Sequence, residues 1–494
     1  MATGEQEFLV LDIVVSNRVA RAKPGDPMVG GLAAALLPAV ERSGAVWFGA
    51  SGKVRKIPSN VAPLVQVEAH GAGSIATVDL PDRDYRGFYE GFANSTLWPL
   101  LHSRADLAQF SALDYSAYCQ VNAYMARSLA AFGGMDSTYW IHDYHFLTLG
   151  HELRKLGVTR RVGFFLHTPW PARRLITQLP QHRELAEAML AYDLLGFQTD
   201  RDRENFAELL RHELQITCTG TLARSRYGTT RLATFPIGID ALQFAERARQ
   251  AEADPVVQRL RASLGNSQLA IGVDRVDYSK GLAQRVQAFD RLLETYPRFK
   301  RRLTLLQIAV PSRTNIRAYR AHQTEVASTI GEVNGKHSDV DWTPIRYLNK
   351  SFCQATLAGL YRKAAVALVT PLQDGMNLVA KEYVAAQDPA DPGVLVLSKF
   401  AGAAHELDGA LQVDPTDIEG TSRKIASALQ MLREERRARW QPMMDGLMQS
   451  SIHTWFADFM NELKAPERNV VTLPATKVPA LGSVAGEPAY ASQA

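Results

Sequence analysis

Val366-Ala-Leu-Val-Thr-Pro-Leu-Gln-Asp-Gly-Met-Asn-Leu-Val-Ala-Lys-Glu-Tyr-Val-Ala-Ala-Gln387 holds the fold in miniature. Val366, Leu368 and Val369 form an apolar run of the kind that makes a buried strand, broken at Pro371. A polar corner follows, Gln373 to Asn377, and then a helical pattern with Leu378, Ala380, Val384 and Ala385. A strand that delivers a loop onto a helix N-terminus gathers backbone N–H groups and the positive end of the helix dipole at one point, which suits phosphate. Asp374 in the corner could equally cap the helix. Glu382, just over a turn inside, would by itself be a solvated helix position.

The rest of the chain repeats this device. Phe8–Val15 reads as a buried strand ending in Ser16-Asn17-Arg18, followed by a loop to Gly30-Gly31 and a helix start at Leu32. A glycine pair before a helix lets backbone approach a phosphate, although it lacks the spacing of a dinucleotide fingerprint. Ala45–Phe48, Thr138–Ile141, Arg161–Leu166 and Asp193–Phe197 are further strands, with polar ends at His142-Asp143-Tyr144-His145 and His167-Thr168. Helical patterns at Glu184–Ala191 and Arg201–Glu213 lie between them. After a turn-rich stop at Phe235–Asp240 the alternation restarts with Leu269–Val273, Leu303–Val310, the opening stretch and Gly393–Ser398. Alternating strands and helices imply a parallel sheet covered on both faces, with ligands beyond the carboxyl ends of the strands. Two such halves predict an α/β protein of two Rossmann-like, doubly wound domains facing a cleft. The expected division is residues 1–238, residues 239–451, a helix over 452–463 crossing back to the first domain, and a disordered tail at 464–494.

Bulk properties agree with this reading. At 494 residues the chain exceeds one ordinary core. A net charge of +4 calls for neither nucleic acid nor an anionic membrane as partner. The first residues lack a signal-type pattern, no apolar run approaches membrane length, and Cys119, Cys218 and Cys353 are widely spaced. A cytoplasmic protein with reduced thiols is expected. The sequence leaves homo-oligomerisation open.

The segments VVSNR, GGL, FANSTLWP, HDYH, GFFLH, PIGID, DRVDYSKG, PSR, DGMNLVAKEY and LSKFAGAAHEL occur in one order between about Leu11 and Leu463. Together they resemble the trehalose-6-phosphate synthase family, retaining glycosyltransferases of the two-Rossmann-domain (GT-B) type. The resemblance implies transfer of glucose from UDP-glucose to glucose-6-phosphate, with no cofactor and no metal. It places Arg18, Tyr89, Trp98, Asp143 and Arg313 on the acceptor. On the donor it places Gly30, Gly31, His167, Arg275, Lys280, Phe352 at the base, and the run Asp374, Gly375, Met376, Asn377, Leu378, Val379, Ala380, Lys381 and Glu382. Asp143, His167, Arg275, Lys280 and Asp374 would carry the chemistry.

Arginine suits a phosphomonoester because its fork binds two oxygens at once. Arg275, Lys280 and a helix N-terminus could answer the charge of a departing diphosphate, work that other glycosyltransferases give to a metal and an acidic motif. Lone basic residues beside glycine are ordinarily surface charge; the bracket DRVDYSKG opposite DGMN is what argues otherwise. Asp274 and Trp170 depart from the family pattern and are expected to stand outside the charge-bearing set. His142, Asp143 and His145 resemble part of a metal site without a third ligand in view. Asp339-Val-Asp341 resembles a phosphatase nucleophile motif but lacks a strand before it, and reads as a loop. Other readings are a sibling enzyme using glycerol-3-phosphate, or ADP- or GDP-glucose, and a catalytically silent sugar-phosphate sensor.

Overall fold

The computed structural model describes residues 12–19, 36–37, 40–56, 64–133 and 137–465. The Gly30-Gly31 loop, the residues before Asp12 and the tail from residue 466 onward lie outside the described residues.

Nine strands build the first sheet: β1 (Asp12–Arg18), β2 (Val46–Arg55), β3 (Gln66–His70), β4 (Gly73–Pro81), β5 (Thr138–His142), β6 (Val162–Phe165), β7 (Leu194–Phe197), β8 (Leu222–Ser225) and β9 (Gly228–Thr234). Their order is β3-β4-β2-β1-β5-β6-β7-β9-β8, parallel except where β3 and β8 close the edges as antiparallel hairpin partners. The second sheet comprises β10 (Gln268–Arg275), β11 (Leu303–Val310), β12 (Ile345–Leu348), β13 (Val366–Val369), β14 (Val394–Ser398) and β15 (Leu411–Val413). It is parallel throughout, in the order β12-β11-β10-β13-β14-β15. The interior strands are apolar on both faces because helices cover both faces.

Each sheet reverses its winding once. In the first, β1 lies between β2 and β5; in the second, β10 lies between β11 and β13. At such switch points neighbouring connections leave in opposite directions and open a crevice beyond the strand ends. Arg18 ends β1, Asp143 follows β5, Arg275 ends β10, and Asp374 lies in the loop after β13. Four of the predicted residues thus fall at two switch points.

The chain crosses between the sheets at Phe235–Asp240 and again near Ser450, and the two crossings are stacked. A Cβ on Gly238 would stand 1.9 Å from the Ser450 carbonyl oxygen, so only glycine fits. The last helix, Ile452–Lys464, returns to the first sheet. Phe459 stacks on Trp140 with ring centroids 4.4 Å apart, and the Trp455 indole donates to the Phe235 carbonyl at 3.1 Å. Lys464 binds Asp12 at 2.8 Å, so the helix includes residue 464, which was expected to begin the tail.

Three apolar clusters result. One covers a face of the first sheet and takes in Tyr278, Ile316 and Tyr319 of the second unit, and one belongs to the second unit alone. The third is continuous from Trp47 and Trp140 through Ile237, Ile239 and Trp455 to Tyr383 and Leu397, so the two units share an apolar layer. Among the described residues no helix is long and apolar enough to cross a membrane. Gly238→Ala is expected to cost about 1–3 kcal/mol of stability through overpacking at the crossing. Urea unfolding measures this, and an unchanged midpoint would mean that the crossing segments move apart freely.

Candidate active site

Between the sheets, cationic side chains gather around one indole. Arg313 places its guanidinium 3.9 Å from the Trp98 ring centroid, and Arg275 lies 5.5 Å from the same ring. Trp98 comes from the first unit and both arginines from the second. The charge that lets them approach is Asp277, a fully buried carboxylate. One of its oxygens accepts from the Ser279 amide and hydroxyl, at 3.0 and 2.9 Å, and at 3.4 Å from the Trp98 indole. The other accepts from Arg313 at 3.3 Å and Tyr319 at 3.4 Å. Burial alone would raise the Asp277 pKa. The charges of Arg313, Arg275 and Lys280 outweigh it and hold the carboxyl well below the usual range.

Arg313 has φ +50°, a left-handed backbone that a non-glycine residue adopts only under constraint. Its guanidinium donates to the Tyr144 hydroxyl at 3.0 Å and to the Tyr319 hydroxyl. Tyr144 passes its own proton to Asn94 Oδ1 at 2.7 Å. Asn94 and Tyr89 belong to a stretch wound as a π-helix, Arg86–Leu97. Such windings favour functional sites because they re-aim side chains. Tyr89 stacks between Tyr85, at 5.6 Å, and His145, at 5.9 Å. Both ring nitrogens of His145 are buried without a partner, and burial followed by the Arg313 charge pushes its pKa down to about 3. Arg18 is exposed, and its charge reaches Tyr85 on the same wall.

Asp143 leaves β5 with φ +75°, a second constrained backbone. Its carboxylate accepts from the His167 amide at 3.3 Å. Burial raises its pKa to about 6, against the opposing pull of the Tyr144 and His167 amides and Arg313. His167 is half-buried and desolvation pushes it down to about 3, so its ring is neutral.

At the opening stretch, Lys280 donates to Asp374 at 2.6 Å and Asn377 to the same oxygen at 2.9 Å. Burial opposes ionisation of Asp374, but Lys280 prevails and its pKa is lowered. Asp374 does not cap the helix Leu378–Ala386. Asn377 does so, at φ +78°, accepting from the Ala380 amide at 3.2 Å. Gly375 packs directly on the other unit: a Cβ there would stand 2.0 Å from the His167 carbonyl oxygen.

Along that helix the predicted run divides. Leu378, Val379 and Glu382 are half-buried, while Met376 and Ala380 are buried in the shared apolar layer. The Lys381 side chain is fully buried and donates to the Ile237 carbonyl at 2.7 Å and to Glu406 at 2.9 Å. Any contribution from Lys381 to a nucleotide is therefore through its main chain. Glu382 has its pKa raised by burial to about 7, opposed by Gln354 and Arg247. Phe352 precedes the helix that begins at Gln354, with the Lys350 ammonium 5.0 Å from its ring.

Asp274, expected to stand outside the charge-bearing set, takes its ion-pair partner outside that set. It pairs with buried Arg285 at 2.7 Å, and Arg285 also donates to Thr370 at 3.0 Å and toward the Lys280 carbonyl at 3.5 Å. Sequence reasoning missed Asp277, Tyr144, Asn94 and Tyr319. Asp277, Tyr144 and Asn94 stood inside quoted motifs; Tyr319 carries no signal in the linear chain. Among the described residues no group of three His, Cys, Asp or Glu side chains is placed to hold a metal. Asp339 and Asp341 both pair with Arg301 at a surface turn.

The sequence pattern that defines glycosyltransferase family 20 matches residues 14–465. The chain belongs to that family. A trehalose-6-phosphate synthase of Sinorhizobium fredii is 47% identical over 456 residues, 92% of this chain and 98% of that protein. Among solved structures, a UDP-forming alpha,alpha-trehalose-phosphate synthase from Burkholderia xenovorans in complex with glucose-6-phosphate is 43% identical. Its TM-score is 0.88, over 92% of this chain and 100% of that one. An E. coli structure bound with UDP-2-fluoro glucose is 40% identical with a TM-score of 0.86, over 93% of this chain and 100% of that one. The family-20 chain thus has the two-unit GT-B fold, and its cationic cluster lies between the units.

Asp277→Asn would leave buried Arg313 without its carboxylate, at an expected cost of about 3–5 kcal/mol. Because the Asp277 pKa is depressed in the folded state, its stabilisation is present above about pH 4 and is lost as pH falls toward the folded value. Urea midpoints measured from neutral to acid pH should therefore decline less steeply below about pH 4 in the variant than in the natural chain. Parallel curves would remove Asp277 from this role.

Proposed function

We propose that this chain transfers glucose from UDP-glucose to glucose-6-phosphate with retention of configuration, releasing α,α-trehalose-6-phosphate and UDP. The observation that carries the reading is the approach of Arg275 and Arg313 to one face of the cleft, with Lys280 beside Asp374. Two anionic substrates need separate cationic seats near each other, and two of the relatives named above hold one such ligand each.

On the acceptor side, Arg313 and Arg18 receive the phosphate, Tyr89 and Trp98 line the sugar, and Asp143 takes its hydroxyls. On the donor side, Arg275, Lys280 and the Gly30-Gly31 loop receive the diphosphate. His167 and the Asp374–Asn377 corner hold the glucose. Phe352 meets the base, and the segment Leu378–Glu382 meets the diphosphate and ribose. The bond between the glucose anomeric carbon and the diphosphate oxygen breaks as the acceptor hydroxyl attacks from the same face. Its proton passes to the leaving phosphate oxygen. Charge grows on that oxygen in the transition state, where preorganised cations stabilise it most. The functional units follow the division at residues 238 and 451, with the last helix tying them together. Hinging at the stacked crossings would exclude water from the reactive sugar.

Incubation with UDP-glucose and glucose-6-phosphate should yield trehalose-6-phosphate and UDP. A product formed only with glycerol-3-phosphate, or only from ADP- or GDP-glucose, would replace the reading. Arg313→Ala should mainly raise the acceptor KM, because its phosphate contact exists before and during reaction. Arg275→Ala should also lower kcat by about thirty- to a thousandfold, equivalent to about 2–4 kcal/mol of lost charge stabilisation. Loss of UDP binding in Arg313→Ala alone would reverse the two sides.

Asp143, raised to about 6, should give an acid limb near that pH if its carboxylate must be ionised to hold the acceptor. The acceptor phosphate titrates in a similar range, at about pH 6, so the comparison is with Asp143→Asn. The residual kcat/KM of that variant should lose the Asp143 part of the limb. An identical limb would assign it to the phosphate.

A further inference from the structure

Behind the cleft a run of hydrogen bonds passes from one unit to the other through Ile237. The Ile237 carbonyl accepts from buried Lys381 of the donor-side helix, while its amide donates to Gln198 Oε1 at 3.0 Å. Gln198 is itself buried. A backbone amide can only donate, so Gln198 must present its oxygen to Ile237 and its NH₂ to the other side. That group lies 3.4 Å from Nδ1 of His167. An NH₂ also only donates, so Nδ1 must accept, and a neutral imidazole accepting at Nδ1 carries its proton at Nε2.

Nε2 of His167 is 3.0 Å from Nδ1 of fully buried His142. His142 then accepts at Nδ1 and carries its own proton at Nε2, which is buried among aromatic rings without a polar partner. The opposite arrangement, with His142 donating, would drive the His167 proton to Nδ1, where it would face the Gln198 NH₂. Two donors would then oppose each other away from water. The direction of one backbone amide thus orders three side chains.

We propose that Gln198 is a positioning residue which, oriented by the crossing residue Ile237, fixes His167 as the Nε2–H tautomer, with both ring nitrogens committed within the protein, Nδ1 to Gln198 and Nε2 to His142. That the order of this ring bears on the donor sugar rests on the reading that His167 faces the sugar; the tautomer does not. Because Lys381 grips the same crossing residue from the donor-side helix, the order of the ring is tied to that helix. A shift of the helix relative to the first unit is transmitted to the His167 partner at the crossing.

The test is the ¹⁵N spectrum of the ligand-free full chain labelled at its histidine rings, with His167 assigned by the signals lost in His167→Asn. Nδ1 of His167 is expected to be unprotonated and Nε2 protonated. In Gln198→Glu a carboxylate would accept from both Ile237 and the ring, and the proton should move to Nδ1. Gln198→Met, which has no NH₂, should give a mixture of tautomers. A natural chain carrying the His167 proton at Nδ1 would overturn the proposal, as would a folded Gln198→Glu with unmoved ring signals. If neither variant folds, the natural spectrum alone decides. Failure to transfer glucose from UDP-glucose would leave that spectrum unchanged, so the two readings fail separately.

Discussion

Like charges do not gather in a cleft without cause. Unit charges a few ångströms apart repel by about 4 kcal/mol at an effective dielectric constant of about 20. Arg275, Lys280 and Arg313 nonetheless converge, and Asp277 and Asp374 are the counter-charges set among them. Much of the local architecture serves to hold those two carboxylates still. Ser279, Tyr319 and the Trp98 indole fix Asp277, and Asn377 holds Asp374 while relieving it of the helix cap. Behind Lys280, the buried Asp274–Arg285 pair supports the loop that presents it. The arrangement is preorganised for anions: Arg313 and Lys280 are largely desolvated, and all three cations are oriented by the carboxylates before any ligand arrives.

The two units meet through polar and backbone contacts within the cleft as well as through the shared apolar layer. Trp98 reaches Asp277, Tyr144 reaches Arg313, Glu90 binds Asn315 at 2.9 Å, and Gly375 rests on the His167 carbonyl. Each joins an end of one sheet to an end of the other. The cleft is therefore an interface whose two sides already share residues, and a change on one side has direct partners on the other.

Much of this was legible in the sequence wherever an apolar run ended in polar residues, because buried parallel strands leave that signature. β5, β6, β11 and β13 follow it. β3 is exposed at almost every position, β12 is buried only at its first residue and β15 is three residues long, so none of them shows a buried apolar run. Arg275, Lys280 and Asp374 stood out because they bracket loops at strand ends. Tyr319 and Asn94 sit on helices, and a linear pattern does not say which side of a helix meets a neighbour. Lys381 shows the same limit: it shares a segment with Glu382, while its side chain reaches the crossing at Ile237. The cap that the sequence offered to Asp374 belongs to Asn377, which a linear pattern does not show because it depends on the left-handed turn there.

The last helix has a consequence for timing. Phe459 and Trp455 cover Trp140 and Phe165, residues of strands that leave the ribosome some three hundred positions earlier. Arg231 and Asp12 likewise find Glu462 and Lys464 only after the second unit has been made. The first sheet is translated before that unit yet cannot complete its own core until the helix beyond it has emerged. The nascent protein must therefore shelter an unfinished apolar groove throughout synthesis of the second unit, until the helix Ile452–Lys464 covers it.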